Sequence, residues 1–172
     1  MRRLNIPLGI LFGLSALLIS VPASAQQKYL GEFKDWFAYH EGSGADRICY
    51  IASIPKKETG KYSKRGETFI LVTHRPGENE RDVFELQAGY SYKKKSEVTV
   101  NIDGKVSKLF TAGGSAWARD KKSDRALAAA MARGRQMIVT GFSGRGTKTV
   151  DTYSLAGFTA AYKVIGKACG IK

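Results

Sequence analysis

Two histidines, two cysteines and several clusters of lysine and arginine are the side chains through which this chain could do chemistry. His74, with a serine and a carboxylate, would supply the parts of a hydrolase. Such a site needs a nucleophile within hydrogen-bond reach of its base, and no Gly-x-Ser-x-Gly elbow marks a nucleophile here. His74 ends a buried-looking strand and precedes Arg75-Pro76, so it reads as a partly exposed, hydrogen-bonded histidine that orders a turn. His40, beside Glu41 and Gly42, reads as solvent-exposed. The expectation is therefore no enzyme. A small hydrolase using His74 stays as the alternative, and it requires a concave pocket gathering His74 with a serine or a carboxylate.

Cys49 and Cys169 have no Cys-x-x-Cys spacing, and two histidines do not complete a zinc set. No metal and no cofactor are expected. An even count in an exported chain reads instead as one disulfide, and with two cysteines there is a single intramolecular pairing. It would close a loop of about 120 residues, for which the chain-entropy model gives an upper contribution of about 5 kcal/mol. A disulfide sulfur is no nucleophile, which also removes a Cys–His pair.

The basic residues fall into runs: Lys56-Lys57, Lys61 with Lys64-Arg65, Lys93-Lys94-Lys95, Lys121-Lys122, and Arg133 with Arg135. Most lie in expected loops, where a charge run is ordinarily a solvated face. The functional reading is electrostatic attachment to an anionic envelope or host-surface component. Candidates are lipopolysaccharide phosphates, peptidoglycan carboxylates, anionic lipid heads and host glycosaminoglycans. Gly144-Arg145-Gly146-Thr147 lacks the Gly-Lys-Ser/Thr and helix of a phosphate loop and reads as a plain hairpin turn, with a turn that also presents Arg145 and Lys148 to an anion as its alternative. The candidate binding residues are thus Lys56, Lys57, Lys61, Lys64, Arg65, Lys93, Lys94, Lys95, Arg145 and Lys148. Tyr90 and Tyr92 beside the lysine run would suit base stacking, but an exported chain rarely meets nucleic acid, and they read as strand residues. Trp36 and Trp117 read as core aromatics, Trp36 having a sugar- or partner-facing platform as its alternative.

The elements that must hold these residues are mostly strands. Phe33 to Tyr39, Arg47 to Ile54, Thr68 to Thr73 and Val83 to Ala88 are β-prone runs bounded by Gly42 to Asp46 and Pro76 to Asn79. Gln26 to Leu30 is a polar lead-in, and Pro55 to Glu67 reads as an exposed loop. Val98 to Ile102 and Val106 to Phe110 flank Asp103-Gly104, a type I′ hairpin signal. Ser115 to Ala118 adds a short strand after the Gly113-Gly114 turn. Gln136 to Ser143 and Thr147 to Tyr153 flank the second hairpin turn. Two stretches read as helices: Arg125 to Arg133, capped by Ser123-Asp124 and stopped by Gly134, and Leu155 to Ile165, with Ser154 as its cap. The expected fold is mostly β, an antiparallel sandwich or barrel-like single domain with one or two α-helices near the C-terminal third.

Arg2 and Arg3, the apolar run from Ile6 to Val21 and Ala23-Ser24-Ala25 form the pattern of a secretory signal peptide over residues 1–25. Pro7 and Pro22 confine the apolar run to roughly 14 residues, short of the ~20 that cross a bilayer. The expected domain is 26–172, with no transmembrane anchor after cleavage and a periplasmic or secreted location. Removing Arg2 and Arg3 lowers the formal charge from +13 to +11. Hydrophobic residues at 43% and charged residues at 25% exclude disorder of the whole chain.

Asp35-Trp36, Cys49-Tyr50-Ile51-Ala52, Leu71 to Pro76, Ala88-Gly89-Tyr90 and Ala116-Trp117 occur in an order that resembles the invasion-associated locus B family of exported proteobacterial proteins. The specific part is the closing signature, Arg145-Gly146-Thr147 with Asp151 to Phe158, ending in Cys169. Some members place another cysteine soon after the Asp-Trp pair, where this chain has Tyr39 and His40; one disulfide is implied here, not two. The resemblance implies an extracytoplasmic β-rich domain linked by its founding name to host-cell invasion, with no catalytic residue. The expected function is a non-catalytic exported interaction protein whose basic loops contact an anionic partner, in invasive species assisting host attachment. A periplasmic structural or chaperone-like protein that takes protein partners through an exposed apolar patch is the alternative.

Overall fold

The computed structural model describes residues 27–171. The signal-peptide pattern lies outside the described residues. The strands are β1 (Lys28–Phe33), β2 (Trp36–Glu41), β3 (Ile48–Ser53), β4 (Lys57–Gly60), β5 (Phe69–Arg75), β6 (Glu80–Gln87), β7 (Glu97–Ile102), β8 (Lys105–Ala112), β9 (Ser115–Trp117), β10 (Gln136–Phe142) and β11 (Lys148–Ser154). All pair antiparallel in one sheet, ordered β1-β2-β3-β5-β6-β9-β8-β7-β10-β11-β4. The sheet does not close; it curls into a sandwich-like single domain with the helices α1 (Lys121–Arg133) and α2 (Phe158–Ala168).

Period-two alternation decides which face is core. Trp36, Ala38, Ile51, Val72, Phe84 and Leu86 point inward from one half of the sheet, and Val98, Val100, Leu109, Met137, Val139 and Tyr153 from the other. Each buried Val, Leu, Ile, Phe or Met side chain among them stabilises by about 1.5–3 kcal/mol relative to exposure. In α1, Asp124, Leu127, Ala128 and Met131 share the buried stripe, and that face packs on β6. In α2, Phe158, Ala161 and Ile165 are buried, and the helix lies on β1, β2 and β3. Phe158 meets Trp36 edge-on at 5.0 Å. Cys49 of β3 and Cys169, just past α2, form the disulfide, with Cα atoms 6.0 Å apart.

Several expectations are corrected. The polar lead-in belongs partly to β1, and the Pro55 to Glu67 loop contains β4, an exposed edge strand paired to β11. Helix α1 begins earlier than expected. Its cap is Asp120, whose side chain accepts from the Ser123 N–H, while Asp124 is buried and accepts the Phe84 N–H at 2.9 Å. Helix α2 begins later, because Ser154 still belongs to β11 and Gly157 turns the chain. Gly157 has φ +93°, and a Cβ there would sit 1.7 Å from the Phe33 carbonyl oxygen, so only glycine fits. Tyr90 and Tyr92 lie outside the strands, with Tyr92 making an isolated bridge to Ser143.

Candidate anion-binding face

The turn between β10 and β11 organises the face. Gly146 N–H donates to the Ser143 carbonyl at 2.7 Å and Ser143 N–H to the Thr147 carbonyl at 2.9 Å. The 91–95 segment runs alongside: Gly144 N–H donates to the Ser91 carbonyl and Lys93 N–H to the Phe142 carbonyl. The 61–66 loop completes the third side. Gly66 N–H donates to the Gly89 carbonyl, and Gly89, at φ +71°, lies so close to Gly66 that a Cβ would be 2.3 Å from its oxygen. These backbone bonds fix three separate stretches of sequence around one point.

Three adjoining concavities result. One is lined by Lys61, Lys64, Arg65 and Arg145 among others, one by Lys61, Arg145 and Lys148, and one by Lys93, Lys94, Lys95 and Gly146. Glu97, which lines the third, is held by Lys108 and Arg119. Lys61, Lys64, Lys93, Lys94, Lys95, Arg145 and Lys148 are exposed, and no described carboxylate pairs with them. The structure therefore brings these seven candidate residues together.

Of the other three candidates, Lys56 and Lys57 stand apart and Arg65 lies beneath the face. Lys56 forms an ion pair with Asp35, and Lys57 lies on β4 opposite Thr152, toward the far end of β11 from the turn. Arg65 is turned inward, contrary to its place in an expected exposed loop. Its side chain is 3% exposed and grips Asp151, also 3% exposed, through two bonds of 2.6 and 2.7 Å. Its Nε–H donates to the Ala88 carbonyl at 2.8 Å, and the guanidinium lies 5.6 Å from the Tyr62 ring centre and 5.1 Å from that of Tyr90. Burial alone would lower its pKa, but the Asp151 carboxylate holds the charge and raises it overall. Arg65 is the strut under the face. Tyr90, its hydroxyl 2.6 Å from that of Thr149, has its own pKa raised by burial. Tyr62, Ser63, Ser143 and Thr149, which line the first of the three concavities, carried no signal in the sequence beyond their closeness to lysines or to the turn.

The histidines are also relocated. His74 is fully buried inside β5, and its Nδ1 accepts the Asp82 N–H at 3.1 Å. That bond replaces a ladder bond where the β5–β6 register shifts, so the histidine does order the neighbouring turn, but from the interior. Its ring meets Tyr162 edge-on at 5.3 Å, and the Tyr162 hydroxyl donates to Asp82. Burial lowers the His74 pKa, with Asp82 opposing. His40 lies half-buried in β2 and is not the exposed residue expected; it sits opposite Cys49, which in turn sits opposite His74. His74 lines none of the three concavities. Among the described residues no group of three or more His, Cys, Asp or Glu is placed to hold a metal ion, and no helix is long and apolar enough to cross a membrane.

The invasion associated locus B protein model matches residues 36–166. The chain belongs to that family. The match spans β2 to β11, α1 and most of α2 of the invasion associated locus B fold described above, and so includes the turn, the lysine segment and the 61–66 loop. No curated protein and no solved structure matches the chain.

Proposed function

We infer that this family member is an exported, non-catalytic binding protein that attaches through the face around Gly144 to Gly146 to an anionic component of the cell envelope or of a host surface. The observation that carries the reading is the convergence of seven carboxylate-free cations from three stretches of sequence onto one turn. Four cations elsewhere are held by carboxylates, Lys121 by Glu80, Lys108 and Arg119 by Glu97, and Lys56 by Asp35, and those without such a pair, such as Lys105, Lys163 and Lys167, do not gather on this turn. Export is supported by the leader pattern of residues 1–25 and by the disulfide, which persists in oxidising compartments. The family name supports a link to invasion. The non-catalytic part is supported by His74, which is sealed in the core with its nearest carboxylate, Asp82, 3.8 Å away and bonded to Tyr162.

The test is binding of the mature protein to immobilised heparin and to lipopolysaccharide over a salt series. Raising salt from about 0.05 to 0.5 M shortens the screening length severalfold, so affinity should fall steeply. Affinity unchanged across the series, or none at low salt, would overturn the reading.

A protein-partner reading draws on a different face. Tyr39 stacks on Tyr50 and meets Tyr29 at a tilt across β1, β2 and β3, and on the same outward side the cross-strand row runs Phe37, Ala52, Leu71, Glu85, Trp117 and Phe110. Crosslinking in cells that captures one protein through this row, with no anion binding in vitro, would favour it.

A further inference from the structure

The concavity lined by Tyr62, Tyr90 and Arg145 differs in kind from a bare patch of charge. Its volume is about 580 Å³, within the range of sites that enclose a small ligand. Among the described residues no carboxylate lines it. Tyrosine rings, small hydroxyls and cations alternate around its wall: Tyr62 and Tyr90 supply rings, Ser63 and Ser91 hydroxyls, Lys64 and Arg145 charge. The tyrosines are preorganised. The Arg65 guanidinium lies between them, fixed by Asp151 and the Ala88 carbonyl, and Thr149 ties the Tyr90 hydroxyl. Holding rings and donors before the ligand arrives removes ordering cost from binding.

A simple anion would use the cations and the hydroxyl donors and leave the rings idle. A sugar ring uses all three: its C–H face packs on aromatic rings, its hydroxyls exchange hydrogen bonds with serine and tyrosine, and an acidic substituent meets Lys64 and Arg145. We propose that the concavity between the 61–66 loop, Gly89 to Ser91 and the 143–149 turn is a binding site for an acidic saccharide unit, a sugar bearing a carboxylate or a phosphate. The inference rests on the anionic-partner reading and narrows it: the basic face attracts the polymer, and this site grips one of its sugar residues. The carboxylate of a uronic acid and the phosphate of an amino sugar share this chemistry.

The experiment is a titration of the mature protein, followed through its tyrosine ring resonances, with four probes: a uronic-acid disaccharide, glucosamine 6-phosphate, N-acetylglucosamine and inorganic phosphate. At least one acidic sugar should shift the Tyr62 and Tyr90 signals, and which one does identifies the source. The neutral sugar should bind at least tenfold more weakly, and inorganic phosphate should leave the ring signals in place. Y62A should weaken the acidic sugar about tenfold while the salt dependence of heparin binding stays as it was; Tyr62 is only half-buried, and near-ultraviolet circular dichroism checks the fold. K64Q/R145Q should remove the preference for acidic over neutral sugar. Ring signals unmoved by both acidic sugars, with heparin still binding in a salt-dependent way, would overturn the site and leave the anionic-partner reading standing. Loss of both would overturn the two together.

Discussion

Replacing Arg65 separates a strut from a ligand contact. The Arg65–Asp151 pair is 3% exposed on each side and bidentate, with bonds of 2.6 and 2.7 Å, and the same guanidinium holds the Ala88 carbonyl. R65A strands the Asp151 carboxylate in the interior, and stranding one partner of a buried pair costs about 3–5 kcal/mol. The tyrosine contacts are part of that cost, not an addition to it. For a domain of this size about 1 kcal/mol moves Tm by 2–4 °C, so the melt should fall by roughly 6–20 °C. R65K keeps the charge but not the fork, and should lose an intermediate amount. R65M/D151L removes both charges and should recover most of the loss. The assay is urea unfolding by intrinsic fluorescence with the disulfide oxidised, accepting only variants of unchanged m-value. A loss under about 1 kcal/mol for R65A, the size of a surface bridge, would refute the reasoning and return Arg65 to the pool of free cations.

His74 is held neutral by burial, its pKa below the ordinary 6.5, with Asp82 opposing the shift. The unfolded chain therefore takes up the proton first on acidification. The stability this histidine contributes is complete above about pH 6.5 and is lost as pH falls through the lowered value; H74F should flatten the slope of unfolding free energy against pH below 6.5, and parallel curves for the two proteins would contradict this. Removing the disulfide as C49A/C169A frees the unfolded chain from a 120-residue closure and should lower the unfolding free energy by about 2–5 kcal/mol, read by urea titration. An unchanged midpoint would mean that the packing of α2 on β1, β2 and β3 fixes this end by itself.

Elements whose burial alternates in sequence were legible. Strand β5, the hairpin at Asp103-Gly104, the hairpin around Gly144 to Gly146 and the Cys49–Cys169 bond all follow from local pattern or from counting. Strand β4 was not, because all four of its residues are exposed at the sheet edge and an edge strand of Lys, Glu, Thr and Gly carries no apolar period. The start of α1 was misplaced because Asp124 looks like a cap, whereas its carboxylate serves the Phe84 N–H from across the chain. Long-range partners explain the residues whose environment was misread. Arg65 sits in a lysine-rich run, yet Asp151, 86 positions later, draws it inside. His74 has turn residues next to it, yet Tyr162 of α2 covers it. For the candidate face, the cations were legible as clusters. Their convergence was not, since it depends on the 91–95 segment pairing beside the 142–144 backbone.

Attachment through the face around Gly144 to Gly146 is tested most directly by lysine acetylation footprinting with mass spectrometry. The mature protein would be labelled alone and bound to outer-membrane vesicles or heparin, and the modification of each lysine compared. Lys61, Lys64, Lys93, Lys94, Lys95 and Lys148 should be protected together, while the equally exposed Lys105, Lys163 and Lys167 stay reactive. Protection spread evenly over all lysines, or centred on Lys163 and Lys167 of α2, would contradict the account.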